Sequence, residues 1–188
     1  MNVGPWNWLE LVKLAVGIMT PLSVAAFGWF ISRRLKRFEL LQWSNQKLIE
    51  KRIAIYDQVG PALNQLYCFY AWVGNWKETT PAEVLRLKRD LDQKMYVYGH
   101  LFDGDLLRSY REFMHTLFET FQGAGEDAKI RSLVRGPDGD RSNHTSHPWH
   151  AEWEDRFATS ARAASLEEVQ QRYDALIREF SESWGVRE

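Results

Sequence analysis

Between Leu11 and Ile31 the chain runs through twenty-one residues of which fifteen are apolar, and Arg33, Arg34, Lys36 and Arg37 follow at once. A helix rises about 1.5 Å per residue, so a run of this length covers a hydrocarbon core of about 30 Å. The sequence therefore predicts a transmembrane helix over 11–32. Trp6, Trp8 and Trp29 fall where interfacial aromatic belts form, and Lys13 lies near one end, where its stem reaches the headgroups. A secretory signal would place its positive charge before the apolar run and small residues after it; here Glu10 and two tryptophans precede and arginines follow. A buried core helix is the stronger rival, because Lys13, Thr20, Pro21 and Ser23 dilute the run.

Charge sets the expected orientation. The basic cluster Arg33, Arg34, Lys36 and Arg37 marks the cytoplasmic flank, which leaves residues 1–10 as a periplasmic tail and puts the rest of the chain in the cytoplasm. From Arg33 to Arg52 the net charge is +5, and beyond it −6, so the positive charge is juxtamembrane. Such a cluster is drawn to anionic headgroups by about 1 kcal/mol per residue and so makes membrane lipids a partner, while the acidic remainder weighs against nucleic acid. The one cysteine, Cys68, excludes an intramolecular disulfide and is expected as a reduced, buried thiol.

Pro21 frees a carbonyl within the span, for which Thr20 and Ser23 offer hydroxyls. Gly17, Thr20, Ser23, Ala25 and Gly28 are small enough for close helix approach in an oligomer, although no strict GxxxG is present. Beyond the span, Phe38, Leu41, Asn45, Leu48, Arg52, Ile55, Val59, Ala62, Leu66, Phe69 and Val73 follow a three-four spacing, with Asn45 a candidate for fixing register in a parallel seam. Gly60-Pro61 is read as a kink or restart, so the expected divisions are a basic stalk helix over 33–60 and a helical bundle over 61–188.

Within the bundle, Thr80-Pro81-Ala82-Glu83 is a capping box before an apolar face of Val84, Leu87, Leu91, Met95 and Tyr98. Asp103 or Asp105 caps the next helix, whose broad face of Leu106, Leu107, Tyr110, Phe113, Met114, Leu117, Phe118 and Phe121 belongs at the centre, with an end near Gly123 and Gly125. A short helix is expected over 126–135 and a loop over 136–148. Trp149, Trp153, Phe157 and Ala161 repeat every four residues as a helix would, and Ser165 opens a last helix with Val169, Tyr173, Leu176, Ile177, Phe180 and Trp184. The fold class is all-α.

The segment Glu50 to Tyr70, with Lys51-Arg52, Ile55-Tyr56-Asp57 and Gly60-Pro61-Ala62-Leu63-Asn64, and the stretches Val73 to Lys77, Leu87 to Asp92 and Phe121 to Ile130, resemble a group of uncharacterised bacterial proteins with one amino-terminal membrane helix and a cytosolic helical domain. The resemblance extends to about Arg131. It implies a bacterial inner-membrane location and carries no catalytic residues.

Three constellations could carry chemistry. His144, His147 and His150 have a spacing open to a divalent metal, against the reading of a solvated loop. Lys129, Arg131 and Arg135 follow a Gly-Ala-Gly run and could hold an anion, although Glu126 and Asp127 would repel it. Tyr67, Phe69, Tyr70, Trp72 and Trp76 form an aromatic cluster, read as packing in preference to a ligand cage. No cofactor and no catalytic set is indicated. The leading reading is a single-pass inner-membrane protein whose cytosolic helical domain is an interaction or sensing module that forms a homo-oligomer and meets an unidentified cytosolic protein or small molecule. Alternatives are a membrane-perturbing effector of a bacterial defence or toxicity system, and a metal- or nucleotide-dependent enzyme.

Overall fold

A computed structural model describes residues 8–120, 123–136 and 139–185, apart from the side chains of Arg37, Phe38, Leu40 and Leu41. The fold is all-α. Helix α1 spans Trp8–Ala71, α2 Pro81–Tyr98, α3 Gly104–Leu117, α4 Arg141–His144 and α5 Leu166–Ser183. Two minimal antiparallel ladders lie between α3 and α4: β1 (Phe118–Glu119) pairs with β2 (Lys129–Ile130), and β3 (Arg135–Gly136) with β4 (Gly139–Asp140). The chain divides into two compact units, Met1–Lys47 and Leu48–Glu188.

In the first unit, Trp8–Lys36 is a 29-residue segment long and apolar enough to cross a membrane, and none of it is buried within the chain. Leu22, Val24, Phe27 and Phe30 are all exposed.

The second unit begins where α1 becomes one-sided. Ile55, Val59, Leu63, Leu66, Phe69 and Tyr70 are buried against α2, α3 and α5 in one hydrophobic core. The regular spacing from Ile55 onward is thus the inner face of this domain. The expected restart at Gly60-Pro61 does not occur, because the helix runs through it to Ala71. An interior proline costs about 3 kcal/mol, whereas burying a large apolar side chain returns about 1.5–3 kcal/mol, and α1 buries several. Gly60 has a reason of its own: a Cβ there would stand 3.1 Å from the Tyr56 ring, which packs on Phe180 and Trp184 at centroid distances of 5.1 and 4.9 Å.

Arg52, which breaks the apolar spacing, binds the ends of other elements. Its Nε donates to the Leu101 carbonyl at 2.7 Å and its Nη1 to the Ser183 carbonyl at 2.8 Å. Leu101 closes the 3-10 turn after α2 and Ser183 ends α5, where carbonyls lack intrahelical donors.

The local start signals operate as expected at α2, where Thr80 and Glu83 form both halves of the capping box, and at α5, where Ser165 accepts from the Glu168 amide. Asp103 occupies the N-cap of α3 without a side-chain bond, and Asp105 pairs with Arg108. Beyond Leu117 the expectations fail. Helix α3 ends there, well before Gly123, and Phe121 lies outside the described residues. Residues 126–135 hold β2 and the first residue of β3 in irregular chain in place of a helix, and Ala151–Arg156 and Ser160–Arg162 are 3-10 turns in place of a regular helix.

The cause is competition for backbone groups. The Arg131 amide donates to the Leu117 carbonyl at 2.8 Å, the Ala158 amide to the Ile130 carbonyl at 2.8 Å, and the Ala164 amide to the Arg131 carbonyl at 2.9 Å. Groups committed across the chain cannot also close an i to i−4 ladder. Ile130, fully buried, is the anchor of this arrangement. The segment expected as a loop over 136–148 contains β4 and α4, and Ser146 is tied by its amide to the Lys77 carbonyl at 2.8 Å.

Candidate functional site

Along the apolar segment, Gly17, Thr20, Ser23, Ala25 and Gly28 are exposed, as are Asn45 and Leu48 farther on. Trp6 and the side chains of Arg37 and Leu41 lie outside what the structure describes. Thr20 donates to the Val16 carbonyl and Ser23 to the Met19 carbonyl, each at 2.7 Å. Neither serves the Gly17 carbonyl that Pro21 leaves without its helical donor, which corrects the expected use of these hydroxyls. At the basic end, the guanidinium of Arg33 lies 5.2 Å from the Trp29 ring centroid and that of Arg34 lies 5.2 Å from Phe30. Trp8, Trp29 and Lys36 are exposed. One helix turn therefore stacks aromatic rings and cations together, the pairing suited to a headgroup layer.

The three cations after the glycine run do not converge as a cradle. Arg131 donates to the carbonyls of Arg162 and His115 at 2.7 and 2.8 Å, and Arg135 pairs with Asp140 and Glu154 at 3.1 and 3.0 Å. Lys129 stands in β2 opposite Glu119, which itself pairs with Arg162. Nor do the histidines gather. His147 Nε2 meets the Glu78 carbonyl at 2.9 Å, the His150 ring stands against Trp153 at 5.0 Å, and His144 lies beside Gly139. Among the described residues no group of three or more His, Cys, Asp or Glu side chains is placed to hold a metal ion. Cys68, expected to be buried, is half-buried and free.

A different residue holds the unusual position. Arg141, the first residue of α4, is 1% exposed, and its guanidinium carbon lies 4.1 Å from the ring centroid of Phe69, 4.2 Å from Trp72 and 5.2 Å from Trp76. Part of the aromatic cluster is thus a cage, and its occupant is a cation from elsewhere in the chain. Among the described residues the guanidinium makes one hydrogen bond, from Nη2 to Ser132 Oγ at 3.4 Å; Nε and Nη1 have no hydrogen-bond partner. Burial pushes the Arg141 pKa down to about 10, and the nearby Tyr70 acts in the opposite sense, so the group is cationic at neutral pH.

The cage is fixed from both sides. The Arg141 amide donates to the Val134 carbonyl at 2.7 Å, next to β3. Trp72, just past the end of α1, has φ of +59°. With the Val73 amide donating to the Cys68 carbonyl at 3.2 Å, this is the helix ending that usually places glycine in the left-handed conformation. Beside the cage, Tyr70, Trp72, Ser132, Leu133, Ala164 and Val169 line a cavity of about 70 Å³. The Tyr70 hydroxyl donates to the Leu117 carbonyl, and burial raises its pKa.

Comparison of the chain with protein-family models, with curated proteins and with solved structures finds no match in any of the three.

Proposed function

We propose that the chain is a single-pass membrane protein whose carboxyl-terminal helical domain is a cytosolic interaction or sensing module and that it self-associates through its span. The observation that carries this reading is the uncovered apolar surface of Trp8–Lys36, which closes on Arg33 and Arg34 stacked against Trp29 and Phe30. An aqueous chain leaving that much apolar surface uncovered would aggregate, whereas a bilayer removes it from water. The basic flank favours the cytoplasmic side of the inner membrane for the helical domain. Gly17 and Gly28 support close packing between copies, since neither has a neighbour within 4 Å of the place a Cβ would occupy.

The test is membrane extraction combined with mass. Full-length protein should stay in the membrane pellet through alkaline carbonate, report a cytosolic carboxyl terminus by fusion, and run as an oligomer in nanodiscs. Release by carbonate would defeat the membrane assignment. A monomer at every concentration would defeat the self-association.

A further inference from the structure

We propose that Arg141, its aromatic cage and the cavity beside Ser132 form a binding site for a small oxyanion, the carboxylate or phosphate end of a metabolite. This rests on the sensing role proposed above and adds to it the class of ligand. Three observations converge on it.

The first is an uncompensated cation. Arg141 is 1% exposed, yet none of the ion pairs among the described residues includes it. With Nε and Nη1 unpartnered, three of its five N–H donors have no protein acceptor. Phe69, Trp72 and Trp76 stabilise the charge through their faces, but a ring face does not accept in the plane of a guanidinium where its N–H groups point. For packing alone, an apolar side chain of similar volume would serve as well or better. Among the described residues no acceptor with negative charge meets it.

The second is the conformation of Trp72. A bulky residue at φ +59° is strained, and such strain persists only where its surroundings over-determine it. Here it sets the indole against the guanidinium at 4.2 Å, and Trp72 also lines the cavity. The third is the cavity itself. Its volume of about 70 Å³ suits one small oxyanion and is far too small for a whole nucleotide. Ser132 joins the two parts, because it lines the cavity and its hydroxyl is the partner of Nη2. At 3.4 Å that contact is long for a hydrogen bond and yields to a charged acceptor. Arg141 is not itself part of the cavity lining, so the incoming oxyanion accepts from the Ser132 hydroxyl and reaches the guanidinium once the long Nη2 contact opens, while Leu133, Ala164 and Val169 exclude water around it.

The experiment uses the full-length chain in detergent micelles with arginine side chains labelled at Nε. Sodium acetate and sodium phosphate are titrated separately at constant ionic strength against sodium chloride. The expected result is a saturable shift of the Arg141 Nε–H resonance, at least tenfold slower proton exchange there, and a raised Tm, all absent in Arg141→Met; the anion that saturates at lower concentration tells carboxylate from phosphate. If neither anion moves the resonance and its exchange stays as fast as for a water-bonded group, the proposal is overturned. An identical saturable response in Arg141→Met overturns it too, by placing binding elsewhere. Should that variant fail to fold, the wild-type resonance decides. Oligomer mass is read at each titration point, so binding that leaves assembly unchanged would keep this site and count against the sensing role alone.

Discussion

Arg52 and Ser183, 131 positions apart in the sequence, meet in a hydrogen bond of 2.8 Å from Nη1 to the backbone carbonyl that ends α5. The same guanidinium donates to Leu101 and lies 3.8 Å from Asp103, so one side chain of α1 holds the terminus of α5 and the turn between α2 and α3. A hydrogen bond to a charged group contributes about 1.5–3 kcal/mol. Arg52→Met should therefore destabilise the domain by about 2–4 kcal/mol. Arg52→Lys should recover less than half, because a single ammonium lacks the fork that reaches two carbonyls. Urea denaturation followed by tryptophan fluorescence measures both, and a loss below about 0.5 kcal/mol in Arg52→Met would show the clamp to be superficial.

Thr80 accepts from the Glu83 amide while the Glu83 carboxylate accepts from the Thr80 amide at 2.8 Å and from its hydroxyl at 3.0 Å, and the bonds it accepts, the amide's first, hold that carboxyl below its usual pKa. Thr80→Ala should cost about 1 kcal/mol. The midpoint of urea unfolding should fall without a change in slope.

Alkaline pH should weaken the fold. Burial pushes the Tyr173 pKa up to about 12, and burial also raises those of Tyr70 and Tyr110, the latter aided by its bond to Asp92 at 2.7 Å. A tyrosine in the unfolded chain loses its proton near pH 10, so above that pH the unfolded state binds fewer protons than the native one and stability falls. Below pH about 9 these groups add no slope. Unfolding midpoints measured at about pH 8, 9, 10 and 11 should stay level and then drop, and Tyr173→Phe should reduce the drop.

Trp72 allows a comparison of two truncations. Trp72→Gly and Trp72→Ala both lose the stacking on Arg141, but only alanine keeps a Cβ at φ +59°. The glycine variant should be the more stable by about 1 kcal/mol. Alanine equal to or better than glycine would mean that the backbone there carries no strain.

The elements that could be read in the sequence are those whose causes are local. Thr80, Pro81 and Glu83 announce α2 within four residues, Ser165 announces α5, and the broad apolar face of α3 marks it as central. Residues 118–164 could not be read in that way. Two-residue strands are too short to alternate, and the four-residue repeat of Trp149, Trp153 and Phe157 comes from turns whose backbone bonds lead to Ile130 and Arg131. The cage divides in the same manner. Its aromatic walls stand within eight residues of one another and were visible as a cluster, whereas the cation arrives from position 141, in a stretch whose composition reads as solvated loop.

That stretch is attached at the far side of Arg141 as well. Thr145 Oγ1 and the Ser146 amide both donate to the Lys77 carbonyl, at 3.0 and 2.8 Å, and His147 reaches the next carbonyl, Glu78. Susceptibility to proteases depends on freeing a run of backbone from its partners. The peptide bond after Arg141 is therefore a poor trypsin substrate in spite of its glycine- and serine-rich surroundings.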